Sequence, residues 1–339
     1  MQSVIRFSLI QRLFVGLLAI ALSVAGVRAW LAMPIDAFPE ISPTQVKIIL
    51  KAPGMTAEEI ELQITQPLET ELLGIPRQAM LRSVTKYAIT DITLDFEDGT
   101  DIYWARQQVN ERLLRIQDEL PPDITGGIAP MSTPLSEMFM FTLENPEVSL
   151  MERRQLLDWV IRPALRTVPG VADVNALGGY VEAWQVQPRP EALAASGISM
   201  MQLRDALQGN TRNDGAGRFQ VGTDVVLVRM DGRFTDHNDI QETRITREDK
   251  GSVRLGDIAD VRRDALVRYG SVSQDGEGEA VQGLVIGLRG ANASHMVAGV
   301  KQKLADISGS LPPGIELVPF YDRSDLVGRS IGMVSRVLL

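Results

Sequence analysis

Two apolar runs bracket the chain, and between them the hydrophobic pattern switches repeatedly between a period near two and a period near 3.6. From Leu13 to Val27 no side chain is charged or strongly polar except Ser23, and Ala29-Trp30-Leu31-Ala32-Met33 carries the run past Arg28. A helix needs about 20 such residues to cross a bilayer, and an arginine near its end reaches back to the headgroups. Trp30 falls at the depth of interfacial aromatics. The same residues also fit a cleaved secretory signal: arginines, an apolar stretch and a small-x-small site at Val27-Arg28-Ala29. After Asp325 the chain reads LVGRSIGMVSRVLL, with Leu326, Val327, Ile331, Val334 and Leu338 apolar and arginines at 329 and 336. This is either the start of a second membrane helix (325–339) or an amphipathic terminal helix. On the membrane reading, 1–12 is cytoplasmic and 13–33 crosses the bilayer. Arg6 and Arg12 hold the N-terminus inside, so 34–324 lies on the outer side of the membrane, which is the periplasm if the cell is Gram-negative.

Strands and helices alternate in the body. Gln45–Leu50 is β-rich, Pro53-Gly54 turns, and Thr56 with Glu59 forms a capping box for a helix to about Leu72, with Pro67 predicted to kink it. In 89–97, Ile92, Leu94 and Phe96 alternate with Asp91, Thr93, Asp95 and Glu97, a strand with one buried face. Thr100 is the expected cap of a helix whose stripe is Ile102, Ala105, Val109, Leu113, Ile116 and Leu120. A last strand near Ile128 completes β-α-β-β-α-β. The order recurs with a strand at Met138–Leu143, a helix from about Leu150 to Thr167, strands at 171–177 and 180–187, and a helix from about Ala293 to Ile307. Leu120-Pro121-Pro122 and Leu311-Pro312-Pro313 close the two copies alike. From Pro76 to Pro121 is 45 residues and from Pro169 to Pro312 is 143, so the second copy holds about 98 more. The insert, roughly 189–265, contains NTRNDGAGRFQ before the alternating VVLVRM. It reads as a projecting hairpin or as a surface loop without a partner. The fold class is α+β.

Composition narrows the chemistry. The 339 residues are 45% hydrophobic and 23% charged, with mean hydropathy +0.01, which excludes disorder and a polytopic membrane chain. The absence of cysteine removes thiolate zinc sites, iron–sulfur clusters and thiol nucleophiles. Residues 1–33 hold three arginines and no acid, so a net charge of −9 becomes −12 over the remainder, the wrong sign for nucleic acid. Gly328-Arg329-Ser330-Ile331-Gly332 fits G-x-S-x-G, but no histidine follows His295, whereas that hydrolase order needs one after the serine. Neither a Walker A motif nor G-x-G-x-x-G occurs. With only His237 and His295, a histidine zinc centre is not expected. The chain is expected not to be an enzyme and to carry no cofactor.

MPIDAFPEISPTQVKI after the first apolar helix, then APGMTAEEIE, DFEDGTDIYWARQQVNERL and YDRSDLV, resembles the inner-membrane pump subunits of the resistance-nodulation-division superfamily, with wording nearest the heavy-metal efflux branch. The resemblance implies a homotrimeric, proton-driven exporter of metal cations in the inner membrane, working with a periplasmic adaptor and an outer-membrane channel. It implies two ferredoxin-like βαββαβ porter subdomains, 34–135 and 136–188 with 266–324, and a docking domain at 189–265. Asn213, Arg218, Phe219, Gln220 and Val221 are then the candidate intersubunit arm. Export of amphiphilic organic molecules, or a non-transporting periplasmic binding or assembly module, are the alternatives. The chain corresponds to an N-terminal third, and its apolar stretches hold no Asp or Glu, so no proton relay is assigned. Soft ions favour thioethers when thiols are absent. Met138 and Met140, expected on one side of a strand with Phe139 and Phe141 on the other, are the substrate-pathway candidates; the alternative is core filling. The acidic edge Asp91, Asp95, Glu97, Asp98 and Asp101 is either a cation entrance or a solvated face.

Overall fold

The structure, a computed structural model, describes residues 10–32, 42–122, 124–133, 135–210, 214–221, 224–230, 234–246 and 251–338. In chain order, α1 (Arg12–Ala32) precedes β1 (Gln45–Lys51), α2 (57–72), β2 (Gln78–Lys86), β3 (Ile89–Phe96), α3 (Ile102–Ile116), β4 (Thr125–Ile128), β5 (Glu137–Glu144), α4 (150–165) and β6 (Val171–Gly178). Next come β7 (Glu182–Pro188), α5 (Pro190–Ser196), α6 (Met200–Asn210), β8 (Asp214–Val221), β9 (Asp224–Met230), α7 (His237–Gln241), β10 (Arg244–Thr246), β11 (Ser252–Arg254), α8 (Leu255–Ile258), β12 (Ala259–Ala265), β13 (Ser273–Gln274) and β14 (Gly278–Glu279). The chain ends with β15 (Val281–Gly287), α9 (Ala293–Ser308), β16 (Glu316–Asp322) and α10 (Arg323–Leu338). Contacts divide it into one unit of 1–148, 156–177 and 280–339 and another of 149–155 and 178–279.

Among the described residues only α1 is long and apolar enough to cross a membrane. Two four-stranded sheets organise the first unit, ordered β2-β3-β1-β4 and β16-β5-β15-β6. Counted within its own sheet, each runs fourth, first, third, second. In the first, Ile48 pairs with Ile92 and with Ile128, so alternate residues of β1 and β3 point together into the core. Val46, Ile48, Ile92, Leu94 and Phe96 meet Ile60, Ile64, Leu68 and Leu72 of α2, all at most 2% exposed.

The four-residue spacing of those α2 side chains explains a local irregularity. At about 100° per residue, a strict spacing of four drifts roughly 40° per step. A π turn at Glu61–Thr65 offsets that drift and accommodates Pro67 just downstream, so the helix continues to Leu72. The second copy repeats the device, with a π turn at Leu157–Ile161 and Pro163 following. The cap of α3 is Asp101, whose Oδ1 accepts from the Trp104 amide at 2.8 Å. Thr100, expected there, is buried and donates to the Glu97 carbonyl.

One strand has a different partner from the expected one. The 182–188 segment pairs with β12 in the second unit, and β15 fills the interior place beside β5. β15 has the sequence for it, mostly buried along its length, whereas β7 is half-exposed throughout. Period-two alternation marks a strand without naming its neighbour. In the second unit, Ile198, Leu203, Ile240, Ile245, Leu255 and Ile258 form a separate small core.

Candidate functional site

The strand carrying the two candidate methionines lies at the centre of the second sheet. Phe139, Phe141 and Leu143 are fully buried on one face of β5. Regular alternation places Met138 opposite them, but the register with β15 passes from Val285↔Phe139 to Ile286↔Glu137, leaving Met138 as the extra residue of a bulge. A bulge re-aims its side chain. Met138 is 4% exposed and packs beside Met296 of α9: a Cβ built on Gly287 would lie 2.9 Å from Met138 Cε and 3.3 Å from Met296 Sδ. Met140 pairs in regular register with Leu284 on one side and with Tyr321 on the other, where Phe320 is the extra residue of a bulge in β16, and it is half-buried. The shared face expected for Met138 and Met140 is therefore corrected. Met138 joins the core with a second thioether, Met296, that sequence reasoning missed, and of the two candidates Met140 is the half-buried one.

The acidic edge of the first sheet is matched by cations. Lys47 reaches Asp91 at 3.1 Å, Arg82 reaches Asp95 at 2.8 Å and Arg77 reaches Glu97 at 3.7 Å. Gln45 Nε2 also donates to Asp95 at 2.7 Å, and Asp101 is occupied as a cap. Such exposed pairs contribute about 0–1 kcal/mol each, and their effect here is to neutralise the face. Among the described residues no cluster of three His, Cys, Asp or Glu side chains is placed to hold a metal ion. His237 Nε2 lies 2.8 Å from the Val261 carbonyl and its ring sits against Trp184, while the backbone amide of His295 is taken by Asn292 in the first turn of α9. Ser330 is helical and donates to the Leu326 carbonyl, a geometry unlike a nucleophile elbow.

The candidate arm is a hairpin. β8 and β9 pair antiparallel, with Arg218↔Leu227, Phe219↔Val226, Gln220↔Val225 and Val221↔Asp224 in register. Asn213 lies outside the described residues. A groove of about 800 Å³ between α3 and β4, lined by Tyr103, Arg106, Asn110, Leu114, Gly126 and Gly127 among others, was not anticipated. Its signal was present: Tyr103 and Leu114 lie off the apolar stripe of α3 and are 67% and 59% exposed. Arg106 donates to the Ala129 carbonyl at 2.6 Å, and desolvation lowers its pKa from the usual arginine value.

Comparison with known proteins bears on all of these features together. The sequence profile of the AcrB/AcrD/AcrF family matches residues 4–339. Protein HelA of Legionella pneumophila is 36% identical over 346 residues, covering 100% of this chain and 33% of HelA. The cation efflux system proteins CzcA of Alcaligenes sp. (strain CT14) and CusA of Escherichia coli (strain K12) are each 34% identical, covering 100% and 99% of this chain and 32% of theirs. A heavy metal efflux pump solved by X-ray crystallography superposes with TM-score 0.85 at 29% identity, over 96% of this chain and 33% of the pump. The chain spans about a third of the length of the curated relatives it matches.

Proposed function

The chain belongs to the AcrB/AcrD/AcrF family, and from that premise we propose that it is part of a proton-driven exporter of heavy-metal cations. The observation that carries this reading is similarity, along the whole of this chain and about a third of theirs, to proteins named for cation efflux, joined to structural similarity with a heavy metal efflux pump. In this reading α1 anchors the chain in the inner membrane, the body is periplasmic, and α10 leads toward a second crossing. The two sheets of the first unit are ferredoxin-like porter subdomains, a reading supported by their common strand order. The β8–β9 hairpin is the arm of the docking domain, reaching a neighbouring protomer of a homotrimer that works with an adaptor and an outer-membrane channel. The chain itself is not an enzyme. Its part in export is to shape a passage for the ion, with Met140 as the sulfur that contacts it, a reading supported by the half-buried position of that side chain.

Deleting the full-length gene tests the substrate class. Growth tolerance to copper, silver or zinc is expected to fall while tolerance to dyes and detergents stays. Loss of dye tolerance alone moves the assignment to organic cargo, and no change in either removes the exporter reading.

A further inference from the structure

Three stretches of the first unit meet through backbone hydrogen bonds: the entry to β1 at 42–44, the linker 129–136 from β4 to β5, and the turn that follows β15. The linker is tied at both ends. The Ala129 amide donates to the Lys47 carbonyl at 2.8 Å, and the Ala129 carbonyl accepts from Arg106 of α3. At the other end the Ser136 carbonyl accepts from the Gly287 amide at 2.8 Å and the Met131 carbonyl from the Arg289 amide at 3.1 Å. Arg323, in the first turn of α10, donates to the Leu135 carbonyl. The Arg289 side chain reaches the third stretch, Nη1 donating to the Pro43 carbonyl at 3.1 Å and Nη2 to that of Ser42. A planar guanidinium takes two successive carbonyls in this way, and an ammonium does not.

The two arginines differ in how readily they let go. Arg323 is 3% exposed, so drawing it away from Leu135 strands a buried charge. Arg289 is half-buried and Pro43 is exposed, so water can replace each for the other. Both side-chain contacts of Arg289 are to carbonyl oxygens, and the pairing therefore answers to the position of the backbone. That position is set by the stretch after α1, while Arg323 fixes the start of α10 to the same linker. We propose that Arg289 is a positioning residue for transport, a latch that closes on Ser42 and Pro43 in one stage of export and releases them in another, with Arg323 as the fixed pin. The inference deepens the exporter reading and rests on it.

The chain holds no cysteine, so introduced thiols are unique in a full-length protein freed of any cysteine elsewhere. Pro43→Cys with Gly290→Cys, both exposed, flank the latch and leave Arg289 in place. A reducible dithiol-reactive bridge between them should lower export of copper, silver or zinc from proteoliposomes by on the order of tenfold relative to the unbridged pair, and reductant should restore it. The same bridge between Gln302→Cys and Asp306→Cys, exposed neighbours on α9, should leave the rate unchanged. Arg289→Ala should lower the maximal rate with the KM for the ion unchanged, Arg289→Lys should recover part of that loss, and amide exchange over 42–47 and 129–136 should rise in the alanine variant. Full export with the 43–290 bridge in place makes Arg289 a passive brace and overturns the proposal. Unaltered exchange in Arg289→Ala, or a change in KM alone, overturns it as well. Absence of metal export by the unmodified protein instead refutes the exporter reading, and this inference with it.

Discussion

Gly126 and Gly127 are adjacent on β4 and have positive φ, +123° and +144°, yet their surroundings differ. A Cβ on Gly126 would lie 2.2 Å from the Ile49 carbonyl oxygen and 3.2 Å from Leu50 Cα, both backbone atoms of the paired strand β1. A Cβ on Gly127 meets nothing within 4 Å. Alanine at either site bears the backbone strain, about 1–3 kcal/mol. Alanine at 126 also bears the clash, and since backbone in a core sheet yields little, the overpacking cost of about 1–3 kcal/mol applies in addition. The difference between Gly126→Ala and Gly127→Ala therefore isolates the close approach at about 2 kcal/mol, or a separation of about 4–8 °C in Tm for a unit of this size. Calorimetry of the purified chain measures it, and amide exchange locates it, with protection expected to fall across 125–128 and the α3–β4 groove loosened. Equal melting temperatures for the two variants refute the claim that β4 is held by backbone contact.

Met140→Leu should lower metal export by the full-length protein, read as cellular metal content, with folding unchanged; Met138→Leu should leave export intact and shift stability by less than about 1.5 kcal/mol. An export defect from Met138→Leu alone places the transport sulfur in the bulge instead. Removing the hairpin 214–230 should weaken the oligomer of the full-length protein by light scattering, and an unchanged trimer removes the docking proposal. Asp322 is desolvated, which raises its pKa, but bonds from Lys301 and Ser324 outweigh this and hold it below the ordinary 3.8. Its contribution is thus fully present above that value and lost as pH falls through the lower folded one. Asp322→Asn should cost about 1 kcal/mol at pH 7 and progressively less under acid, in urea titrations at several pH values. A pH-independent cost assigns the role to packing.

What the sequence made legible depended on periodicity. The alternation of 89–97, the stripe of α3 and the paired Leu-Pro-Pro closures led to elements found in the structure at those places. Partner choice was not legible from alternation, because β7 and β15 both read as short strands and the period names no neighbour, although β15 (VQGLVIG) is the more apolar of the two. The bulge at Met138 was hidden for a related reason: an extra residue leaves no mark in an EMFMFTLE pattern that looks regular. Its consequence, pairing Met138 with Met296, brings together positions 158 residues apart. The π turns carried a weak signal in Pro67 and Pro163, each near the start of the helical segment that follows. The acidic edge misled in another way, since Lys47, Arg82 and Arg77 lie on neighbouring segments and neutralise it only once folded.

The most direct test of the account is ion flux through the full-length protein in proteoliposomes under an imposed pH gradient, followed with an internal metal indicator. Copper, silver or zinc should move against its own gradient while the proton gradient lasts and stop when a protonophore collapses it, with no movement of ethidium under the same conditions. Gradient-driven ethidium flux without metal flux, or metal flux indifferent to the proton gradient, contradicts a proton-coupled exporter of metal cations.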